Sequence, residues 1–399
     1  MQVLWLTQVL PHPPDSGPKV RAWHLLETVA REHEVTLLSF VRGDQSRDVQ
    51  RLRTLCAEVA TVPIDRGGPR ELLHLARSWG TGRPYLMVRD DQAAMRGLVE
   101  QLVAGRRFDV VHADQLNMAQ YAVGVDAPLR VLDAHNASWL LYRRLQRILP
   151  HGPRRLALAR EWRLLREYEA RLGARFDAVL AVSREDEDAL RRAGVPSSLM
   201  TVVPIALDVQ AIRPVRRDES ANRILHVGTM YWPPNIDAVQ WFASEVYARI
   251  RSRRPDIAFD VVGTKPPGRI TRLHLSGDSI HVAGYVADLT PFFERAGVFV
   301  VPLRAGAGMR VKILEAMARG VPVVTTRLGC EGIEVEHDRH VLLADSAAEF
   351  ADATLRILND RDVGRRLAEN GRHLVETRHD YRLVYRSVLD LYARGPGTR

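Results

Sequence analysis

Cysteine is scarce: the chain carries only Cys56 and Cys330. Two are too few for a disulfide framework, so the sequence suits a reducing compartment, and a cytoplasmic location is expected. Lysine is nearly as rare. Only Lys19, Lys265 and Lys312 occur, and the other 54 basic residues are arginine. Chemistry that needs a lysine Schiff base therefore has three candidates. No apolar run approaches the roughly 18–20 residues of a membrane span. The opening Val3-Leu4-Trp5-Leu6 is too short for a signal peptide and lacks its basic flank. Metal-ligand spacings such as H-x-x-x-H or C-x-x-C are missing, so no metal is expected, and no other cofactor is called for. No strand is followed by G-x-G-x-x-G, which disfavours an NAD dehydrogenase.

What is present is ordinary globular material, 46% hydrophobic and 26% charged over 399 residues. That length predicts two domains. The net charge of +9 is concentrated: residues 143–175 hold ten arginines against Glu161, Glu167 and Glu169. With no zinc-finger spacing, RNA-binding aromatic signature or helix-turn-helix, nucleic acid is not the expected partner. The segment reads either as a solvated helix face paired with its glutamates, or as a cationic face for an anionic membrane.

Hydrophobic periodicity alternates between strand and helix. Strands are expected at Gln2–Thr7, Val35–Phe40, Val59–Pro63, Val110–His112, Val131–Asp133, Ala178–Val182 and Met200–Val203. Helices are expected at about Val20–Glu32, Asp48–Glu58, 92–104, 153–174 and Glu185–Ala193. Residues 205–222 read as a linker. The rhythm restarts with strands Ile224–Val227, Ala258–Val262, Ile280–Ala283, Val298–Leu303 and Val321–Thr325, and helices Ile236–Arg251, Leu289–Arg295 and 310–318. This predicts an α/β protein with two doubly wound halves and a cleft between them, ligands binding beyond the carboxyl ends of the strands.

The segment Ala305-Gly306-Ala307-Gly308-Met309-Arg310-Val311-Lys312-Ile313-Leu314-Glu315-Ala316 carries the strongest chemical signal. Glycines follow a buried strand and a helix starts near Arg310, so free N–H groups of its first turn would form an anion site. Arg310 and Lys312 lie at the positive end of the helix dipole, unfavourable by a few tenths of a kcal/mol each until an anion binds. A surface Lys312–Glu315 pair is the bland alternative.

The stretch Gly306 to Gly329, with Lys312-Ile313-Leu314-Glu315-Ala316-Met317-Ala318-Arg319-Gly320-Val321-Pro322-Val323-Val324, resembles the nucleotide-sugar site of group 1 glycosyltransferases. These are retaining enzymes of the GT-B fold, with two Rossmann-like domains. Gly228-Thr229-Met230-Tyr231-Trp232-Pro233-Pro234-Asn235 resembles the opening of their second domain. Gly17, with Pro13-Pro14 before and Arg21 after, resembles the opening of their first. The resemblance implies an N-terminal acceptor-side domain over 1–205, a donor-binding domain over 206–375, and a final segment, 376–399, crossing back to the first domain. It implies a nucleotide-diphosphate sugar as donor and a glycan, lipid-linked or small-molecule acceptor. Arg310 and Lys312 would meet the diphosphate without metal. Glu315 would hold the ribose, and Gly284-Tyr285-Val286 would contact the base. Gly17, Gly228, Gly306, Gly308, Met309 and Val311 would complete the donor pocket.

The chain departs from the family in places. The first glutamate of the usual E-x7-E is Ala307. Thr229 and Asn235 stand where many relatives have arginine and lysine; Arg310 and Lys312 would take over that charge, as in a subgroup with a G-x-G-x-R-x-K loop. Pro204-Ile205-Ala206-Leu207-Asp208 lacks the usual Asn-Gly. In the first domain His112, Asp114 and His135 are candidates to touch the reacting sugar, whereas Trp23 and His24 read as packing. A same-fold nucleotide-sugar epimerase, or a non-catalytic nucleotide-sugar-binding subunit, remains open beside the transferase. A pyridoxal phosphorylase is disfavoured because no lysine is free for it.

Overall fold

The computed structural model describes residues 1–217, 221–275 and 279–395, with Leu275 described by its backbone. Parts of two expectations, 218–220 of the linker and 396–399 of the final segment, lie outside the described residues. Contacts divide the chain into two units: Met1–Ala206 with Ala307–Met309 and Tyr381–Arg399, and Leu207–Gly306 with Arg310–Asp380.

The first unit is built on a seven-stranded parallel sheet of order β3-β2-β1-β4-β5-β6-β7. Its strands are β1 Gln2–Thr7, β2 Glu34–Val41, β3 Glu58–Pro63, β4 Val110–Asp114, β5 Leu129–Ala134, β6 Ala178–Ala181 and β7 Met200–Val202. Val3 through Thr7 and all of β4 are buried, as expected for strands covered by helices on both faces. The second unit has a six-stranded parallel sheet of order β10-β9-β8-β11-β12-β13. Its strands are β8 Arg223–Val227, β9 Ala258–Val262, β10 Ile280–Gly284, β11 Val298–Val301, β12 Val323–Thr325 and β13 Leu342–Leu343. Strand order reverses between β1 and β4 in one sheet and between β8 and β11 in the other, and such switch points are where open α/β sheets bind ligands.

Several boundaries differ from expectation. β4 runs two residues past His112, so His112 is an interior strand residue and Asp114 ends the strand, both at 0% exposure. The first helix is Gly17–Ala30, starting at Gly17 because Pro18 fits the first turn. The helix expected over Ile236–Arg251 is Pro233–Trp241, then a π-helical turn at Phe242–Val246, then Tyr247–Arg253. Helices also form at Arg70–Thr81, Tyr85–Arg89 and Ser138–Ile148, where none was expected. Near the C-terminus, Tyr381, Tyr385, Val388 and Tyr392 lie in the core of the first unit, with Trp5, Leu25 and Val131.

The arginine-rich helix is Pro153–Gly173. Two of its glutamates do not pair with its arginines. Glu161 accepts the backbone N–H groups of Tyr85 and Leu86 at 3.0 and 3.1 Å. Glu169 accepts those of Ser138 and Trp139 at 2.7 and 3.0 Å. Both carboxylates are buried and each caps the start of another helix. Two of the three glutamates expected beside these arginines are thus taken up by backbone N–H groups. No helix among the described residues is long and apolar enough to cross a membrane.

Candidate functional site

In the second unit the site grows from the ends of β8 and β11. β8 ends at Val227, and the Gly228 N–H donates to the Val262 carbonyl at 2.9 Å. A Cβ on Gly263 would fall 1.7 Å from the Gly228 carbonyl oxygen, so only glycine permits this approach. At Gly228 itself the space a side chain would take is filled by Lys312, whose Nζ lies 2.6 Å from that Cβ position. Lys312 donates to Asn235 Oδ1 at 3.0 Å, and Asn235 Nδ2 donates to the Thr229 carbonyl at 3.0 Å. Lys312 thus reaches from the start of the helix that follows β11 to the end of β8.

The loop after β11 turns through Gly306 and Gly308, at φ +145° and +77°. Arg310 occupies the N-cap position of the helix Val311–Ala318 without a side-chain cap hydrogen bond, and the first turn has no acidic residue. Val311, Ile313, Leu314, Ala316, Met317 and Ala318 are buried, so the helix is apolar nearly all round and not on one face alone. Lys312 and Glu315 are its two half-buried positions. Burial, followed by the nearby Arg310, lowers the Lys312 ammonium to about 7, with Glu315 opposing. Burial raises the Glu315 carboxyl. His226, fully buried with Nδ1 2.9 Å from the Val300 carbonyl, is held neutral by burial and by Lys312. Gly284 ends β10, and Tyr285 beside it is exposed, as are Tyr231 and Trp232 after β8. Met309 clusters with the first unit, where its sulfur accepts the Ile205 N–H at 3.1 Å.

In the first unit the ends of β1, β4 and β5 gather a charge cluster. Arg21, at 0% exposure, holds Asp133 through Nε at 2.9 Å to both carboxylate oxygens and Nη2 at 2.6 Å. Its Nη1 donates to the Val203 and Pro204 carbonyls at 2.8 and 3.2 Å. His135 Nε2 lies 2.6 Å from Asp114 and 3.4 Å from Asp133, and Thr7 donates to Asp114 at 2.5 Å. Burial opposes charge on His135, but Asp114 and then Asp133 outweigh it and raise the imidazole to about 9. Asp133 is held well below the carboxylate range: burial opposes this, and Arg21 and His135 overcome it. Asp114, Asp133 and His135 place ligand atoms within 4.8 Å of one another. Two cations, Arg21 and His135, already balance the two carboxylates, so the cluster does not need a metal ion for charge.

Two family models match the chain: "Glycosyl transferase 4-like domain" over residues 16–206 and "Glycosyl transferases group 1" over 221–360. The chain belongs to the group 1 glycosyltransferases. Among curated relatives, an "Uncharacterized 44.6 kDa protein in cps region" from Klebsiella pneumoniae is 21% identical over 74% of this chain and 77% of its own length. The "MMP alpha-(1->4)-mannosyltransferase" of Mycolicibacterium hassiacum is 26% identical over 76% of this chain and 73% of its own. Among solved structures, Anabaena HepE in complex with UDP and glucose superposes with TM-score 0.69 at 17% identity, covering 98% of each chain. Sucrose-phosphate synthase from Thermosynechococcus elongatus does so with TM-score 0.73 at 19%, again over 98% of each. The fold is GT-B, with two Rossmann-like parallel-sheet domains.

Within this glycosyltransferase the expected residues fall into separate groups. Gly228, Gly306, Arg310, Val311, Lys312 and Glu315 surround the start of one helix. Gly284, Tyr285 and Val286 form a loop after β10, and Gly17 starts the first helix. Asp114 and His135 meet, but His112 does not join their pairing. Its ring stacks on Trp5 at 3.8 Å, the Tyr392 hydroxyl lies 2.7 Å from Nδ1, and burial lowers it to about 4. At 0% exposure the ring is packed into the core, with Nε2 4.0 Å from Asp133 Oδ2. Three members of these clusters, Arg21, Asp133 and Asn235, were not among the expected site residues. Arg21 lies on the same helical stripe as Leu25 and Val29. A guanidinium there signals a buried carboxylate partner, and Asp133 inside the apolar β5 is that partner.

The folded protein raises His135 from its ordinary 6.5 to about 9, so the stabilisation from its charge is complete below about pH 6.5 and lost as pH rises through about 9. In urea unfolding, the stability advantage of the wild type over His135→Gln should shrink across that interval. An advantage that grows with pH there contradicts a charged His135.

Proposed function

We propose that this glycosyltransferase moves a sugar, a hexose or close relative, from a nucleotide-diphosphate donor to a glycan, lipid-linked or small-molecule acceptor, with retention and without metal. The observation that carries the reading is Lys312 at the end of β8, beside Arg310 and the uncapped start of Val311–Ala318. Positive charge and free N–H groups there suit a diphosphate, whose leaving oxygens gain charge in the transition state. The G-x-G-x-R-x-K loop supports placing this chain in that subgroup. Glu315 would hold the ribose, and Tyr285 with its neighbours Gly284 and Val286 would meet the base.

In this mechanism the bond from the anomeric carbon to the diphosphate breaks while the acceptor oxygen bonds to the same face. The acceptor proton passes to a diphosphate oxygen, so no protein nucleophile is needed. His135 fits this scheme as a donor: raised to about 9, it is an imidazolium at neutral pH and not a general base. Its buried Nδ1 has no hydrogen-bond partner among the described residues, which suits a hydroxyl of the transferred sugar. The relative named as a mannosyltransferase supports transfer of a hexose, and a cell-envelope glycan is the acceptor proposed. The arginines of 143–175 would face an anionic membrane at its cytoplasmic side.

A thermal-shift screen of nucleotide-diphosphate sugars tests the donor, since a ligand that binds only the folded state raises the melting temperature. NMR of the product then reads the anomeric configuration. A shift with one donor and a retained product are expected. No shift with any donor, or an inverted product, overturns the proposal. Free sugar released without acceptor points to the epimerase, and tight binding without turnover to the subunit that Ala307 leaves open.

A further inference from the structure

The helix Arg70–Thr81 is folded with its polar stripe inward. Glu71 accepts the Gly67 N–H at 2.7 Å and the Tyr85 hydroxyl, and Ser78, at 0% exposure, donates to the Arg83 carbonyl at 2.7 Å. These residues, with half-buried His74, recur at i, i+3 and i+7, the spacing of one helix face. Leu72, Leu73 and Ala76 occupy the opposite face, with Trp79 and Leu75 on its flank. Leu72, Leu73 and Trp79 are 71%, 69% and 61% exposed.

The apolar surface continues onto the arginine-rich helix. Arg160 donates to Ser78 through both Nη1, to Oγ at 3.1 Å, and Nη2, to the carbonyl at 2.7 Å, and its guanidinium lies 4.5 Å from the Trp79 ring. One turn earlier on that helix stands Leu156, 72% exposed. Five of the ten exposed large apolar side chains among the described residues therefore lie on these two helices. Their rim is cationic: Arg70, Arg77 and Arg154 are exposed. The two acids closest in sequence, Glu71 and Glu161, are occupied by the inward contacts already described.

We propose that this surface docks on an anionic lipid bilayer, with Leu72, Leu73, Leu75, Trp79 and Leu156 entering the interface and the arginines meeting lipid headgroups. Leucine and tryptophan on one face, flanked by arginine, are the chemistry of an interfacial helix. Charge complementarity favours anionic lipid over a second copy, whose identical cationic face would be repelled. The inference sharpens the lipid-facing reading of 143–175 and is independent of the sugar chemistry.

The test is co-sedimentation of the full chain with vesicles of phosphatidylglycerol and phosphatidylcholine, against phosphatidylcholine alone, at low salt. The wild type is expected to bind the anionic vesicles. A Leu72→Ser, Leu73→Ser, Trp79→Ser variant should partition about tenfold less with an unchanged melting temperature. Equal partitioning of wild type and variant overturns the role of this helix and leaves 143–175 as the contact. Absence of vesicle binding by the wild type overturns both. Concentration-dependent self-association in sedimentation equilibrium, lost in the variant, overturns the proposal in favour of a protein interface. None of these outcomes alters the donor screen.

Discussion

Replacing Arg310 and Lys312 together by alanine is expected to lower kcat/KM for sugar transfer by at least 100-fold, about 2.7 kcal/mol of transition-state stabilisation. The cause is specific. Lys312 sits where a Gly228 side chain would be, and Arg310 stands at the N-cap position of the same helix without a carboxylate in the first turn to neutralise it. The Lys312 ammonium is costly in the free protein, since burial and then Arg310 lower it to about 7. Removing both cations relieves that cost, so the double variant should melt no lower than the wild type, as is common where a site is built against stability. Lost activity with retained stability separates a ligand site from a structural pair. A double variant with near wild-type turnover removes these residues from the chemistry.

Arg21→Met is expected to destabilise the protein by about 3–5 kcal/mol, because it leaves Asp133 charged, buried and without its bidentate partner. Asp133 is at 0% exposure and lies inside β5, so water cannot replace the guanidinium. The Val203 and Pro204 carbonyls lose their donor in the same variant. Urea unfolding reads the loss directly. The double variant Arg21→Met, Asp133→Leu should recover a good part of it, since an apolar pair of similar volume leaves no orphaned charge on Asp133. A loss below 1 kcal/mol in the single variant would mean that this pair is not held as the geometry shows.

The legibility of this chain followed the strength of local signals. Parallel strands announce themselves as short apolar runs, and the two-fold repetition of the strand and helix rhythm marked two sheets. The glycines at 306 and 308 and the two cations after them were readable because the types are unusual together. The Arg21–Asp133 pair was not, since it joins residues 112 apart in sequence and no local pattern links them. His112 illustrates the opposite case. A histidine near a strand end invites a functional reading, but β4 continues to Asp114 and the ring is stacked into the core. The helix Arg70–Thr81 escaped because its apolar residues face water, so its periodicity points away from any core. Glu161 and Glu169 looked like partners for adjacent arginines, yet each turns inward to cap a helix distant in sequence.

The central claim, that Lys312 and Arg310 hold a diphosphate without metal, has a thermodynamic signature. Lys312, ordinarily 10.5, stands at about 7 in the free protein and is mostly neutral above that pH. A bound diphosphate favours the ammonium, so binding near pH 8 takes up protons and affinity falls as pH rises above about 7. The direct measurement is calorimetric titration of UDP and GDP in EDTA near pH 8, in two buffers of different ionisation enthalpy. The expected result is binding of at least one nucleotide, with heats that differ between buffers as proton uptake requires. In Arg310→Ala, Lys312→Ala that binding should weaken by at least about 100-fold. Binding that requires added magnesium, or equal affinity in the double variant, contradicts the account.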